Sequence, residues 1–372
     1  VDLHFAGKDK RGFLSVQNLR INKVAYPIDS KAEFLSLPLP PQNSDSIYLS
    51  FDFQMGLPDA GFTGNGLAEN AIHIIDLLPR LAAHFKGKWI LRPSTYNFDH
   101  CQNKDQFAIN LKIPAHLQAI SNLKEVKSVL QEKSKLYQFS GKSRNLQFHL
   151  APKFYHYSID AKHTLYSLQA DSSLLRNVSL LSAQANRYFK SELNDSLNEF
   201  QKILYLQNKK GEYQSEELLC LEIPKDPFSL ISELVQAQAE SFFRYGKAID
   251  GFQEPWLARG LPYFYKYDFI RQYYPQKRWI PFSNFLLDKL FAFDEFDYAY
   301  QNRFLFLFLQ RQGLDQAPNS SVAELSRLNY EAIVQAKTYL NLAHLEAYTG
   351  EFNFKRALAR YCSSADALVG AA

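Results

Sequence analysis

The texture of the sequence changes near residue 158, and that change limits the folds open to the chain. Before it, runs such as FLSVQNLRI, SIYLSFDFQ and FAINLKIP alternate apolar and polar residues and are separated by clusters of Pro, Gly, Asn and Asp. A period of two belongs to strands half buried against a core. After it, LLRNVSLLSAQANRYFKSELN at 174–194 has helical periodicity, QKILYLQ at 201–207 reads as a strand, and helices dominate from there. Strands first and helices later is the order of an α+β protein. At 372 residues the chain has room for two cores, so we expect an all-β domain over 1–158 and a mixed domain, a small sheet plus helices, over 159–372.

Composition narrows the function classes. Hydrophobic residues make up 46% of the chain, which suits a globular protein rather than a disordered one. The 30 Phe and 22 Tyr read as thick cores rather than as a stacking surface for bases. A net charge of +4 with acids and bases interspersed argues against nucleic acid. Cys101, Cys220 and Cys362 follow no metal or redox spacing. No run of eighteen apolar residues occurs, so no membrane span is expected. There is no Gly-x-Ser-x-Gly elbow. The chain opens at Val1 without a methionine, which a removed signal peptide, a cloning boundary or a fragment would each explain.

GFTGNG at 61–66 reads as a surface loop, since no helix with a Lys-Ser or Lys-Thr opening follows it. His149, His156 and His163 recur every seven residues, an odd offset that alternates sides of a strand. They are expected to be ordinary polar positions near the domain junction, and His73 is read the same way.

Residues 226–260, DPFSLISELVQAQAESFFRYGKAIDGFQEPWLARG, are the centre of the second half. Asp226 followed by Pro227 is a helix start, a capping oxygen ahead of a residue that lacks only an N–H the first turn leaves unused. Gly246 is a stop signal. Leu230, Ile231, Leu234, Val235, Phe242 and Phe243 give one apolar stripe, and Gln236 and Glu240, four apart, share a face. A second helix opens near Pro255, carries Trp256, Leu257 and Arg259, and runs to Pro275, with Pro262 early enough to be tolerated or to kink it. Further on, Ser321 and Glu324 have the spacing of a capping box.

This pair of helices resembles the aminopeptidase N-like gluzincin family, in which one helix carries H-E-x-x-H and the next supplies the third zinc ligand within W-L-x-E-G. WLARG at 256–260 matches the latter with Arg259 in the place of the ligand Glu, and the family spacing of 23 leads back to QAQAE at 236–240. Gln236 then holds the first His position, Ala237 that of the catalytic Glu, and Glu240 the second His. SFFRYG after it is similar to the Q-W-F-G that follows the family motif. The resemblance extends to the N-terminal β-sandwich through LPLPPQNSDSIYLSFDFQMGLP and FAINLKIPAHLQAISN, and it implies a thermolysin-like α+β domain after the sandwich. Glu212 and Tyr213, 24 residues ahead of Gln236, fall on the Glu-Tyr of G-G-M-E-Y-P, where the family Glu anchors a substrate amino terminus. Glu212 either keeps that role or is a solvated carboxylate beside Glu216 and Glu217. Tyr330 in NYEA matches the family's oxyanion tyrosine, or packs in the core.

With every ligand and the base replaced, the resemblance implies the fold without its zinc and without another cofactor. The leading expectation is a catalytically inactive, peptidase-like protein that uses the former cleft to bind a peptide or protein terminus, or as architecture. The alternative is an active zinc aminopeptidase, or another hydrolase, with a site not visible in these motifs. A buried Arg259–Glu240 ion pair, bidentate and in place of the metal, is expected. A secreted or periplasmic location is the family's habit in many bacteria.

Overall fold

The structure is a computed structural model; it describes residues 12–27, 37, 47–60, 64–76, 79, 82–85, 88–90, 104–158, 163–170, 172–193, 202–206, 215, 217–222, 226–246, 249, 251–279 and 296–363. Glu212 and Tyr213 therefore lie outside the described residues.

The alternating runs of the first half form strands. β1 (Phe13–Ile21), β2 (Val24–Ala25) and β3 (Leu49–Gly56) make one antiparallel sheet in the order β2-β1-β3. β4 (Gly66–Leu67), β5 (Ile72–Ile75), β9 (Gln118–Ser121) and β12 (Gln147–Ala151) make a second in the order β4-β5-β12-β9, while β6 (Ala83–Phe85) and β7 (Lys88–Ile90) pair as a separate ribbon. β8 (Asp105–Pro114), β10 (Lys124–Leu130) and β11 (Ser134–Ser143) make a third in the order β10-β11-β8. The third sheet lies on one face of the second. Leu111, Ile113, Tyr137 and Phe139 meet Ile72, Ile74, Ala119, Phe148 and Leu150 in one core.

β12 is buried along its whole length, QFHLA, which means that both of its faces are covered. Phe148 and Leu150 point into the core just described, and by the period of two Gln147, His149 and Ala151 point the other way. There they meet a further sheet, β13 (Tyr155–Ser158), β14 (Thr164–Ser167), β15 (Lys202–Leu206) and β16 (Leu218–Glu222), in that order. Leu218 and Cys220 of β16 pack with Ala71, Ile75, Ile120 and Ala151 across this junction. Leu219 and Leu221, on the opposite face of β16, pack against helices. The unbroken apolar run LLCL is the mark of a strand covered on both sides.

In this last sheet β14, β15 and β16 run parallel while β13 is antiparallel. The parallel step from β14 to β15 encloses helix α1 (Ser172–Leu193), as a crossover must. Helices α2 (Pro227–Glu240), α3 (Leu261–Tyr273), α4 (Tyr300–Arg311), α5 (Thr338–Thr349) and α6 (Glu351–Ser363) follow. Tyr188, Phe189, Phe242, Phe243, Phe264 and Phe269 fill the space between them.

Asp226 caps α2 as its sequence suggests: its Oδ1 accepts from the amides of Phe228 and Ser229 at 3.0 and 3.1 Å, with Pro227 in the first turn. The Ser229 hydroxyl, which donates to Asp226 Oδ2, and then the Ser229 amide hold the Asp226 carboxyl below the usual carboxylate range. Ser321 and Glu324 do not form a capping box. Val322–Glu324 is one isolated 3-10 turn ended by an extended Leu325, and the helix starts afresh at Arg327. Ser326 Oγ accepts from the Asn329 amide at 3.2 Å and takes over the capping.

Candidate functional site

α2 does not end at Glu240 but widens into a π-helical turn, Ser241–Gly246. The next helix opens with another, Trp256–Gly260, before becoming α3, and Tyr330–Lys337 is a third, leading into α5. π-helical turns are uncommon and concentrate at functional sites; here all three flank one place. The Trp256–Gly260 turn packs on both of the others. Its approach to the third is close, since a Cβ on Gly260 would lie 2.5 Å from Thr338 Cγ2 and 2.7 Å from the Val334 carbonyl oxygen.

Between α2 and α3 runs a chain of four polar side chains. Lys266 Nζ donates to Gln236 Oε1 at 3.0 Å. Gln236 Nε2 donates to Glu240 Oε1 at 2.9 Å. Glu240 Oε2 faces Arg259 Nη1 at 3.4 Å, with both side chains buried. An ammonium can only donate and a carboxylate can only accept, so these partners fix the orientation of the Gln236 amide. The expected Arg259–Glu240 ion pair is thus present in the geometry. The other Glu240 oxygen is taken by Gln236.

Burial is graded along the chain. Glu240 and Arg259 are 5% and 2% exposed, whereas Gln236 and Lys266 are half-buried. Tyr263 and Tyr267 flank the lysine, with ring centres 5.5 and 5.8 Å from Nζ and their hydroxyls 3.2 Å apart. Burial pulls the Lys266 ammonium down to about 8, against the opposing pull of Glu240 and Glu233. Burial also raises the phenols of Tyr263 and Tyr267, so both stay protonated donors.

The structure therefore brings together Gln236, Glu240 and Arg259, three of the residues singled out in the sequence. Ala237 is buried in the core beside them. Tyr330 is buried in a different cluster, with Phe252, Val322, Leu325 and Val334 around it. Lys266 was not anticipated. The signal available for it was a lone cation in the aromatic run LPYFYKYDF, seven residues after Arg259 and so on the same face of the helix. Among the described residues, no group of three or more His, Cys, Asp or Glu is placed to hold a metal ion.

No protein-family model matches the chain, and no curated protein does. Among solved structures it is similar to the M1 zinc metallopeptidase from Deinococcus radiodurans, with a TM-score of 0.55 and 12% sequence identity, over 96% of this chain and 78% of that one. A mutant of that peptidase gives a TM-score of 0.57 at the same identity and coverage. The mutant bound to a Tyr-Ser-Ala substrate gives 0.55. At this identity the likeness shows the fold: the chain is built like an M1 metallopeptidase of the aminopeptidase N family.

Proposed function

We propose that this peptidase-like fold, a β-sandwich domain over 1–158 followed by a thermolysin-like domain over 159–372, works without a metal and binds a peptide or protein end in the former cleft. The observation that carries this reading is the chain Lys266–Gln236–Glu240–Arg259. A zinc site needs neutral imidazoles or anionic oxygens and sulfurs converging on one point. The positions matched to that role here supply an amide, a methyl group, one carboxylate and a guanidinium, and Lys266 adds a second cation. One carboxylate already shared between an amide and a guanidinium is a poor ligand and a poor base. In this reading the Arg259–Glu240 pair occupies the metal's place and keeps α2 and α3 at their spacing.

The half-buried end of the chain, Gln236 and Lys266 with the hydroxyls of Tyr263 and Tyr267, is what a bound peptide would meet. Glu212 and Tyr213 are proposed to contribute at its amino terminus, and Tyr330 to contribute to ligand contact. Such binding is the reading; turnover is its rival. The test is elemental analysis of protein purified without chelators, with hydrolysis of aminoacyl amides and binding of fluorescent tripeptides followed on the same sample. Tripeptide binding without metal or turnover is expected. Stoichiometric zinc with turnover would replace this reading by that of an active aminopeptidase.

A further inference from the structure

A second buried polar cluster lies away from that cleft, at the junction between the β4-β5-β12-β9 sheet and β16. His73 on β5 and His149 on β12 are direct cross-strand partners, with Nδ1 atoms 2.9 Å apart and ring centres at 5.1 Å. Their exposures are 7% and 0%. On the far side of the His149 ring, Nε2 lies 3.5 Å from Gln147 Oε1 and 3.7 Å from Cys220 Sγ. The apolar layer around them is Ala71, Ile75, Ile120 and Leu218.

Two imidazoles that meet through Nδ1 share one proton, which one ring donates and the other accepts. A further proton on the pair is a charge inside an apolar layer, and a full set of protons sets N–H against N–H. We propose that the His73–His149 pair is an acid-operated latch that holds β16 against the β-rich half when neutral and releases it on protonation. Burial holds His73 down to about 4 and His149 well below the usual imidazole range, with His73 lowering His149 further. Titratable groups near this layer, among the described residues, include Cys220 on β16 and Tyr166 on β14, the latter raised by burial and by Glu125 and paired across the strand with His156, ring centres 6.4 Å apart. Cys220 and Tyr166 themselves do not change charge in the acid range.

The sign follows from linkage. An opened junction accepts protons near 6.5, a closed one only near 4, so closure is fully favoured above pH 6.5 and is lost as pH falls through that window. The release would reach the cleft. β16 ends four residues before Asp226, the cap of α2, and Ser241 Oγ at the far end of α2 donates to the Ser215 carbonyl just ahead of β16 at 2.6 Å.

Hydrogen–deuterium exchange of the whole chain between pH 8 and 4.5, corrected for intrinsic rates, tests the latch. Peptides over 145–151 and 218–222 are expected to lose protection by about tenfold or more below pH 6.5, while 107–113 in the inner core holds. His73→Phe is expected to reduce that selective loss, since only His149 then takes up a proton on opening. Level protection at the junction, equal loss in core and junction, or an unchanged selective loss in His73→Phe overturns the proposal. Should His73→Phe not fold, histidine carbon-13 spectra of the unaltered chain decide: two imidazoles still neutral at pH 5.5 support the latch, and two that charge above pH 6 sink it.

Discussion

α3 carries buried polarity on two sides, and the two sides are built differently. Towards α2, Lys266 begins a line of polar contacts that ends at Arg259. Towards α1, α5 and α6, Asp268 is a hub. It accepts from the Tyr188 hydroxyl and the Gln272 amide, both at 2.8 Å, and is paired with Arg271 and with Lys355. Arg271 grips Glu346 of α5 through two bonds of 2.7 and 2.9 Å, and Lys355 reaches Glu192 and Glu351 as well. The hub joins four helices and borders a surface cavity lined by Glu192, Glu351 and Lys355. The line ends at the half-buried Lys266, whose basicity burial has lowered.

The largest effect should come from breaking the hub. Asp268→Ala leaves Tyr188, Arg271 and Lys355 without their shared acceptor, and urea unfolding should show a loss of about 3–5 kcal/mol. Glu240→Gln should cost about 3 kcal/mol, because it leaves the buried Arg259 guanidinium without its carboxylate. The double variant Glu240→Leu, Arg259→Met should recover most of that, since well-packed apolar residues replace buried pairs at little cost. A double variant as unstable as Glu240→Gln would mean that the line is as structural as the hub. Gly260→Ala forces a methyl against Thr338 and the Val334 carbonyl, for which a thermal melt should register about 1–3 kcal/mol. The smallest effect concerns pH. The Lys266 pKa is lowered from 10.5 to about 8 in the folded protein, so the unfolded chain holds more protons between those values and stability should rise with pH across that window. Lys266→Met should flatten the rise, as melts at pH 8 and pH 10 would show.

The parts of this architecture written in local sequence were legible. FLSVQNLRI is β1 residue for residue, and Asp226-Pro227 begins α2 where capping chemistry requires. Gln236, Glu240 and Arg259 could be grouped because helical spacing and one motif brought them together. Lys266 could not, for a lysine in an aromatic run has no local feature that tells which neighbour accepts its hydrogen bond. His73 and His149 stand 76 residues apart, and only the pairing of β5 with β12 makes them partners, so reading each as an ordinary polar position missed the pair. The Ser321/Glu324 spacing failed because capping depends on the backbone that follows, and Leu325 is extended. The roles of Glu212 and Tyr213 rest on their place in the sequence alone.

The three π-helical turns carry a consequence for how such a protein can vary. Each holds a residue more than an α-turn would need, so chain length, and not side chains alone, sets the direction in which everything downstream faces. Dropping one residue from Trp256–Gly260 would regularise that turn and rotate α3 by about 100° relative to what precedes it. Lys266 would swing away from Gln236, and Asp268 away from Tyr188, without a single substitution. An insertion or deletion at these turns would therefore rewrite both faces of α3 at once.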